Sequence, residues 1–157
     1  MTVDRIELTG ETAWCPGCGN HAILAAIKDV LNDLGKKPHE VLIAGGIGQA
    51  PKLPQYLSVN GFCGLHGRAV PPAVAAKIAN KDLTVIVHTG DGDSYGEGGN
   101  HLIHNIRRNV DITHFVHDNQ IYGLTKGQAS PTSDLGHVTD VQPDGPRSIP
   151  LNPVLLA

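Results

Sequence analysis

The residues with the clearest chemical potential follow two apolar segments of the chain. Asp91 stands in the glycine-rich turn 89–93 directly after the β-branched run 83–87, and Asn119 follows a second such run, 112–116. Runs of this kind are typical of strands buried on both faces of a parallel sheet. Because ligands bind beyond the carboxyl ends of such strands, we expect Asp91 and Asn119 to meet at one edge of the sheet.

The two side chains supply hard oxygen donors, a carboxylate and an amide oxygen. Together with a nearby backbone carbonyl, they suit a Mg²⁺ ion that keeps other ligand positions for phosphate oxygens and water. Gly90 and Gly92 let the backbone approach a bulky anion closely and open their N–H groups to it. These residue types therefore predict a magnesium and phosphate site at the carboxyl edge of the sheet.

Helix and strand patterns alternate around these two runs. Asn20 is a candidate N-cap, and it precedes an apolar stripe at helical spacing that consists of Leu24, Ile27, Leu31 and Leu34. The run 41–44 predicts a further strand, and helices are predicted over about 71–79 and from Gly98-Gly99-Asn100 to near residue 109. The pattern predicts an α/β fold with a mainly parallel sheet flanked by helices, in a single domain over residues 1–157.

Longer motifs around these residues resemble a known family. Gly-Asp-Gly, followed by the 26 residues 93–118 and then Asn119, is similar to the thiamine diphosphate motif. A lone Gly-Asp-Gly would also fit an ordinary turn. The surrounding sequence is more specific. It resembles the beta subunit of 2-oxoacid:ferredoxin oxidoreductases in the motifs GFCGLHGR (61–68), GGNHLIH (98–104), RRN (107–109) and YGLTKGQASPT (122–132). The likeness runs from about Trp14 to the C-terminus.

The resemblance implies the diphosphate-binding domain of the thiamine diphosphate-enzyme fold. In such a domain, Asp91, Asn119 and the backbone carbonyl of Ile121 would hold Mg²⁺. The residues implied to contact thiamine diphosphate are Ile47, Gly48, Gln49, Ala50, His66, Gly90, Gly92, Asp93, Gly123, Leu124 and Thr125. No catalytic residue is certain, and the residues implied to border the substrate are Lys52, Leu124 and Lys126.

The three cysteines bear on redox chemistry. Cys15 and Cys18 form a Cys-x-x-Cys pair, which can bind a metal or an iron–sulfur cluster or form a redox disulfide. The resemblance implies that this pair supplies two ligands of a [4Fe–4S] cluster. The usual position of a third cysteine carries Gln49, and the fourth family ligand lies in a more C-terminal region that this chain lacks. Cys63 could replace the missing ligand or be a small buried apolar residue, so the ligand set is incomplete.

Composition restricts the classes of protein to consider. The chain has 157 residues, of which 40% are apolar and 17% charged, as is typical of a globular domain with a core. No apolar run approaches the roughly 20 residues of a membrane-spanning helix, and residues 1–13 lack the apolar region of a signal peptide. The net charge of −3 gives no electrostatic reason to expect nucleic acid. We therefore expect a cytoplasmic protein with neither membrane nor nucleic acid as a partner.

The resemblance also implies an activity. It is the oxidative decarboxylation of a 2-oxoacid to its acyl-CoA, with electrons passed to ferredoxin. An alpha subunit would carry the pyrimidine-binding domain and the glutamate that activates the cofactor, because no such base is evident in this chain. Residues 1–19 would form a cysteine-containing N-terminal segment, and residues 133–157 an extended tail. Family chains continue well beyond this point, so we expect an N-terminal portion of a longer subunit or one half of a split one.

Other functions fit parts of the pattern. A thiol–disulfide oxidoreductase could use Cys15 and Cys18 alone, and a catalytically silent cofactor-binding or assembly subunit would be consistent with Gln49. A transition-metal hydrolase could use His101 and His104, which stand one helical turn apart. That hydrolase would draw its other ligands from Asp91, Asp93, His114 and His117, and it leaves the glycine-rich loop 122–132 without a role.

Overall fold

A computed structural model describes residues 5–157 of the chain, so the first four residues of the predicted N-terminal segment lie outside the described residues. The strands are β1 (Val41–Gly45), β2 (Asn60–Cys63), β3 (Thr84–Gly90), β4 (Thr113–His117), β5 (Ile121–Tyr122) and β6 (Gln128–Ala129). The α-helices are α1 (Gly19–Asp33), α2 (Val70–Ala79), α3 (Gly99–Arg108) and α4 (Pro153–Leu156). Pro38–Glu40 and Ala50–Tyr56 form 3₁₀ helices, and Gly92–Glu97 forms a π-helical turn.

The first four strands form one parallel sheet in the order β2-β1-β3-β4. β5 and β6 form a separate antiparallel pair that folds over the carboxyl edge of the sheet. The predicted α/β class, with a mainly parallel sheet flanked by helices, is confirmed. Within residues 5–157, no helix combines the length and the apolar character that crossing a bilayer requires.

Two apolar clusters pack against the sheet. Alternate residues of a strand point to opposite faces, so neighbouring positions of β1 and β3 enter different clusters. Ile43 and Ile86 pack in the cluster that contains Leu24 and Leu31 of α1. Ala44, Val85 and Val87 pack in the cluster that contains residues of α2. Helices on both sides of the sheet therefore fix the strands and leave their carboxyl ends to build a site.

Strand β4 corrects one expectation from the sequence. The run 112–116 is predicted to be buried on both faces, but β4 pairs only with β3 and is an outer strand among the described residues. Its residues are exposed or half-buried, and Phe115 is 40% exposed. The β-branched composition indicates the strand correctly, but it does not show that a strand is central, because that depends on what packs beside it.

The beginning of α1 corrects a second expectation. Cys18 is the N-cap, so Asn20 lies inside the first helical turn and does not cap the helix. Its Oδ1 instead accepts a hydrogen bond from His117 Nδ1 at 2.8 Å. This bond joins the start of α1 to the carboxyl end of β4 through two residues that are 97 positions apart in the chain.

A second histidine extends this polar network from β4 to β3. Because His117 Nδ1 donates a hydrogen bond to Asn20, its Nε2 accepts the hydrogen bond from His88 Nδ1, at 2.8 Å. The His88 ring stacks on Phe115, with 5.2 Å between ring centroids. Burial, reinforced by nearby histidines, lowers the pKa of His88 to about 3. Both rings of the pair are therefore neutral near pH 7, because burial also lowers the pKa of His117.

His114 lies on the other face of β4. Its Nε2 is 2.8 Å from Thr89 Oγ1, and burial lowers its pKa to about 4. Each histidine of β3 and β4 therefore has at least one hydrogen-bond partner in the protein, although His88 Nε2 is buried and has none within residues 5–157. The described residues contain no group of three or more His, Cys, Asp and Glu side chains arranged to hold a metal ion, so they give no support to the metal-hydrolase hypothesis.

The neutral histidines predict a loss of stability in acid. His88 and His114 stay neutral in the folded protein down to their pKa values of about 3 and about 4, whereas unfolded histidine takes up a proton near pH 6.5. The unfolded state therefore binds more protons below about pH 6.5. We expect the free energy of unfolding to fall by up to roughly 1.4 kcal/mol per pH unit for each histidine, until the folded pKa values are reached.

Urea denaturation at a series of pH values between neutral and mildly acidic measures this slope. His114→Gln retains an amide that can bond with Thr89 and removes one titrating group, so it should flatten the dependence. His104→Gln, at an exposed position of α3, is the matched control and should leave the slope unchanged. The explanation fails if His114→Gln and the wild-type chain lose stability equally with falling pH.

Candidate functional site

The carboxyl ends of β1, β3 and β4 open onto a cavity of about 490 Å³. This volume lies within the range of small-molecule and cofactor sites, and its position is the usual one for ligands of open parallel sheets. Its lining comprises Cys18, Gly19, Asn20, Ile23, Ile47, Gly48, Gln49, Ala50, His66, Gly90, Asp91, Gly92, Asp93, Val116, His117, Asp118, Asn119, Ile121, Tyr122, Gly123, Leu124 and Thr125.

Every residue predicted to contact the cofactor or the magnesium ion is among these lining residues. Cys18 also lines the cavity, and so does Leu124, one of the residues predicted to border the substrate. The predicted residues that lie outside the lining are Lys52, Lys126, Cys15 and Cys63. The structure thus gathers most of the predicted set, and the function of each residue stays a prediction.

Asp91 directly follows β3 and is, with Asp93, one of two buried carboxylates that line the cavity, with 1% of its surface exposed. Its Oδ2 accepts a hydrogen bond of 2.7 Å from Thr132 Oγ1. Within residues 5–157, no hydrogen bond reaches Oδ1. One oxygen of Asp91 is therefore fixed by the protein, and the other is available for a ligand.

Thr132 also contacts a second carboxylate. Its Oγ1 lies 2.8 Å from Asp118 Oδ1, so Asp91 and Asp118 converge on one hydroxyl group. A hydroxyl carries one proton and can donate to only one of these acceptors at a time. Across the described residues, neither carboxylate forms a salt bridge. Burial and the charges of Asp118 and Asp91 raise the pKa of Tyr95, as expected next to uncompensated negative charge.

Asn119 and Ile121 add oxygen donors at the same rim. Asn119 Oδ1 accepts a hydrogen bond of 3.2 Å from Ile121 N, which forms a tight turn after β4. With Asp91, these residues offer a carboxylate oxygen, an amide oxygen and a backbone carbonyl, which are the donor types that Mg²⁺ prefers. Because no salt bridge within residues 5–157 balances the negative charge of Asp91 and Asp118, both the donor set and the electrostatics fit a divalent ion.

Asp93 organises the loops on the other side of the cavity. Its Oδ1 accepts hydrogen bonds from Gly67 N at 2.7 Å, Ile47 N at 3.2 Å and His66 Nδ1 at 2.7 Å. Its Oδ2 is buried and lies against Gly46, where any Cβ would overlap it. Because a carboxylate oxygen accepts, His66 donates through Nδ1, which fixes the orientation of a ring that lines the cavity.

The loop that begins at Ile121 packs directly on the turn that follows β3. A Cβ at Gly92 would overlap the ring of Tyr122, so only glycine permits this contact. The Tyr122 hydroxyl donates to the Gly92 carbonyl at 3.2 Å. Burial and the nearby carboxylates Glu97, Asp91 and Asp93 raise the pKa of Tyr122, which therefore stays protonated and keeps donating at neutral pH.

The Cys-x-x-Cys turn lies at the edge of the cavity near Gln49. Cys18 N donates to the Cys15 carbonyl at 3.1 Å, and Trp14 Nε1 donates to the Gln49 carbonyl at 2.8 Å. In the described part of the chain, the buried Oε1 of Gln49 has no hydrogen-bond partner. A buried amide oxygen at the position of a family cysteine does not replace a thiolate, because iron–sulfur clusters are held by sulfur ligands.

Cys63 lies apart from the other two cysteines. It ends β2 and is exposed, so its interpretation as a buried apolar residue is wrong. The three cysteines do not form one metal-binding group within residues 5–157. Because a [4Fe–4S] cluster takes four thiolates, the residues present do not fit one.

Sequence reasoning does not single out Asp118 and Thr132. Asp118 is adjacent to a predicted ligand, and Thr132 ends the glycine-rich motif, so both stood close to the predicted site. The missing signal was burial: an aspartate or threonine within a polar stretch looks the same in sequence whether it faces solvent or a buried network. His117 and Asn20 were missed as lining residues for the same reason.

Comparisons with known proteins place the chain in a family. Residues 42–157 match the model described as thiamine pyrophosphate enzyme, C-terminal TPP binding domain. The chain is 48% identical over 147 residues to the 2-oxoglutarate oxidoreductase subunit KorB of Mycobacterium tuberculosis, covering 94% of this chain and 39% of that protein. It is 47% identical over 146 residues to the 2-oxoacid:ferredoxin oxidoreductase subunit beta of Saccharolobus solfataricus, covering 92% of this chain and 48% of that protein.

A solved structure of a related oxidoreductase is also similar to this chain. The 2-oxoglutarate:ferredoxin oxidoreductase from Magnetococcus marinus, with 2-oxoglutarate, coenzyme A and succinyl-CoA bound, matches with a TM-score of 0.90 and 40% identity, over 93% of this chain and 50% of that chain. The chain thus spans half or less of the length of these relatives. The resemblance to beta subunits of 2-oxoacid:ferredoxin oxidoreductases is confirmed. The chain belongs to the family of the C-terminal TPP-binding domain of thiamine pyrophosphate enzymes.

Proposed function

We propose that this chain binds thiamine diphosphate and Mg²⁺ as part of a 2-oxoacid:ferredoxin oxidoreductase. The observation that carries the proposal is the meeting of Asp91, Asn119 and Ile121 at one cavity beyond the carboxyl ends of parallel strands. The proposed reaction is the oxidative decarboxylation of a 2-oxoacid to its acyl-CoA, with electrons passed to ferredoxin. The names of the relatives support this reaction. When bound, the cofactor supplies the stabilisation of negative charge on carbon.

The task of this chain is to hold and orient the cofactor. Oδ1 of Asp91, the Asn119 amide oxygen and the Ile121 carbonyl would hold Mg²⁺, which would offset the charge of the diphosphate and of the rim carboxylates. Gly90 and Gly92 leave the backbone open on the same side of the cavity. The hydrogen bond from Tyr122 holds the loop that begins at Ile121 against the Gly92 turn at this side of the cavity.

The substrate end of the site is less complete. Leu124 lines the cavity and is half-exposed, so it is the proposed apolar contact for the side chain of a 2-oxoacid. Lys126 is exposed and Lys52 half-buried, and both lie outside the lining. We propose that they reach the substrate carboxylate only when a partner subunit closes over this edge.

The proposed partners follow from the same reaction. They are an alpha subunit that carries the pyrimidine-binding domain and its activating glutamate, ferredoxin as electron acceptor, and the 2-oxoacid and CoA as substrates. The proposed location is the cytoplasm. This chain without an alpha subunit should bind cofactor weakly and turn over no substrate.

Two alternative roles keep some support. Cys15 is exposed in a turn stabilised by the Cys18 N–H, which would suit thiol–disulfide exchange. Insulin reduction that persists in Asp91→Ala but disappears in Cys15→Ser would favour that role. Gln49, which stands in place of a sulfur ligand, would suit a catalytically silent cofactor-binding or assembly subunit. Recovery of a partner without activity in the assembled complex would favour this second role.

One prediction of this proposal concerns the metal-binding carboxylate. Asp91→Ala removes the charged oxygen donor of the rim, so it should abolish the Mg²⁺-dependent part of thiamine diphosphate binding in a calorimetric titration with and without Mg²⁺. Asp82→Ala, at an exposed position before β3, is the matched control and should bind like the wild-type chain. Unchanged binding by Asp91→Ala would refute the assignment.

Another prediction concerns iron. Because the described residues group no more than two thiols, the anaerobically purified and reconstituted chain should not retain a full complement of iron and acid-labile sulfide. Gln49→Cys places a thiol beside the Cys15–Cys18 turn and should raise both contents. Lys81→Cys, at an exposed position before the start of β3, is the control. A wild-type chain that holds a complete cluster would show that sulfur ligands come together in a way that this structure does not provide.

A further inference from the structure

We propose that Thr132 is the positioning residue for the metal-binding carboxylate of Asp91. Its hydroxyl holds Oδ2 at 2.7 Å, which leaves Oδ1 of this cavity-lining residue as the oxygen that would meet the ion. The inference rests on the proposed function, because it concerns the same cation site. It goes further in assigning a role to a residue that would touch neither the ion nor the cofactor.

The Thr132 hydroxyl is held in place by a buried serine network. The side chain of Thr132 is 4% exposed, and its backbone N–H donates to Ser130 Oγ at 3.3 Å. Ser130 Oγ also lies 3.1 Å from Thr132 Oγ1. Ser133, equally buried, accepts from Ser130 N at 2.8 Å and donates to the Gln120 carbonyl. The hydroxyl therefore has a fixed position that water cannot easily take over.

Thr132 also connects the three parts of the rim. Asp91 comes from the end of β3, Asp118 from the end of β4, and Thr132 from the loop that begins at Ile121. One side chain thus sets the separation between the two strand ends and the loop that supplies the carbonyl donor. Groups that orient a metal ligand in this way tune the affinity of the site although they do not bind the metal.

The charges at this point explain why a hydroxyl is suited to the role. Asp118 Oδ1 has a second donor in the N–H of Gln120, at 3.0 Å. Among the described residues, Thr132 alone donates a hydrogen bond to the Asp91 carboxylate. Loss of the hydroxyl would leave Asp91 free to rotate and to expose a different oxygen. A valine at position 132 has nearly the same shape as threonine and makes this change without opening a cavity.

The test compares three variants of the 157-residue chain. Thr132→Val removes the hydroxyl, and Thr132→Ser keeps it. Thr139→Val is the matched control, because Thr139 Oγ1 donates a hydrogen bond of the same length, 2.7 Å, to the Gly127 carbonyl in the same region without touching Asp91. The measured quantity is the Mg²⁺ concentration that gives half-maximal thiamine diphosphate binding, with Mn²⁺ binding followed by electron paramagnetic resonance as a readout that needs no catalysis.

We expect Thr132→Val to raise the half-maximal Mg²⁺ concentration roughly 10- to 100-fold, as is typical for loss of a group that orients a metal ligand. The half-maximal Mg²⁺ concentration of Thr132→Ser should stay within about threefold of the wild-type value, and that of Thr139→Val should equal the wild-type value. Should Thr132→Val fail to fold, Thr132→Ala, which removes the hydroxyl without adding a methyl group to the buried network, is measured in the same way.

Two outcomes overturn the inference. If Thr132→Val lowers the melting temperature as Thr139→Val does but leaves the Mg²⁺ requirement unchanged, Thr132 is only structural, and the proposed function stands as long as Asp91→Ala has lost binding. If the wild-type chain shows no Mg²⁺-dependent binding at all, the proposed function and the inference fail together.

Discussion

The carboxylate of Asp91, held at the end of a buried strand, is the constraint on which the candidate site depends. β3 is central in the sheet, so its carboxyl end is fixed by neighbouring strands on both sides. The position of Asp91 is therefore set by the backbone of the whole sheet. The hydrogen bond from Thr132 then fixes the orientation of its side chain. Asp91 and Asp118 both approach the single hydroxyl proton of Thr132, and a cation bound at this rim would balance their negative charge.

The loops around Asp91 are joined by contacts that only small residues permit. Asp93 draws together the loops after β1 and β2 by accepting three hydrogen bonds on one oxygen, and its other oxygen fits only because residue 46 is glycine. In the same way, the ring of Tyr122 fits against residue 92 only because that residue is glycine. The glycine-rich turns thus serve two purposes, since they leave room for a ligand and allow the loops to close on one another.

Local patterns in the sequence predicted the elements that local patterns determine. The strands β1 and β3 and the helices α2 and α3 lie where the apolar spacing places them. The exposure of β4 and the role of Asn20 were missed, because both depend on partners distant in the chain. Motif resemblance predicted the cavity lining well, but it did not reveal the buried network of Thr132, whose residue types are equally common at the surface.

The most direct test of this account is the location of the metal ion itself. Crystals of the chain grown with thiamine diphosphate and Mn²⁺ would show the ion by its anomalous scattering. The account predicts one peak within about 2.0–2.3 Å of Asp91 Oδ1, the Asn119 amide oxygen and the Ile121 carbonyl, with Asp91 Oδ2 still bonded to Thr132. An ion bound elsewhere with the cofactor present, or an Asp91 side chain turned away from it, would contradict the account.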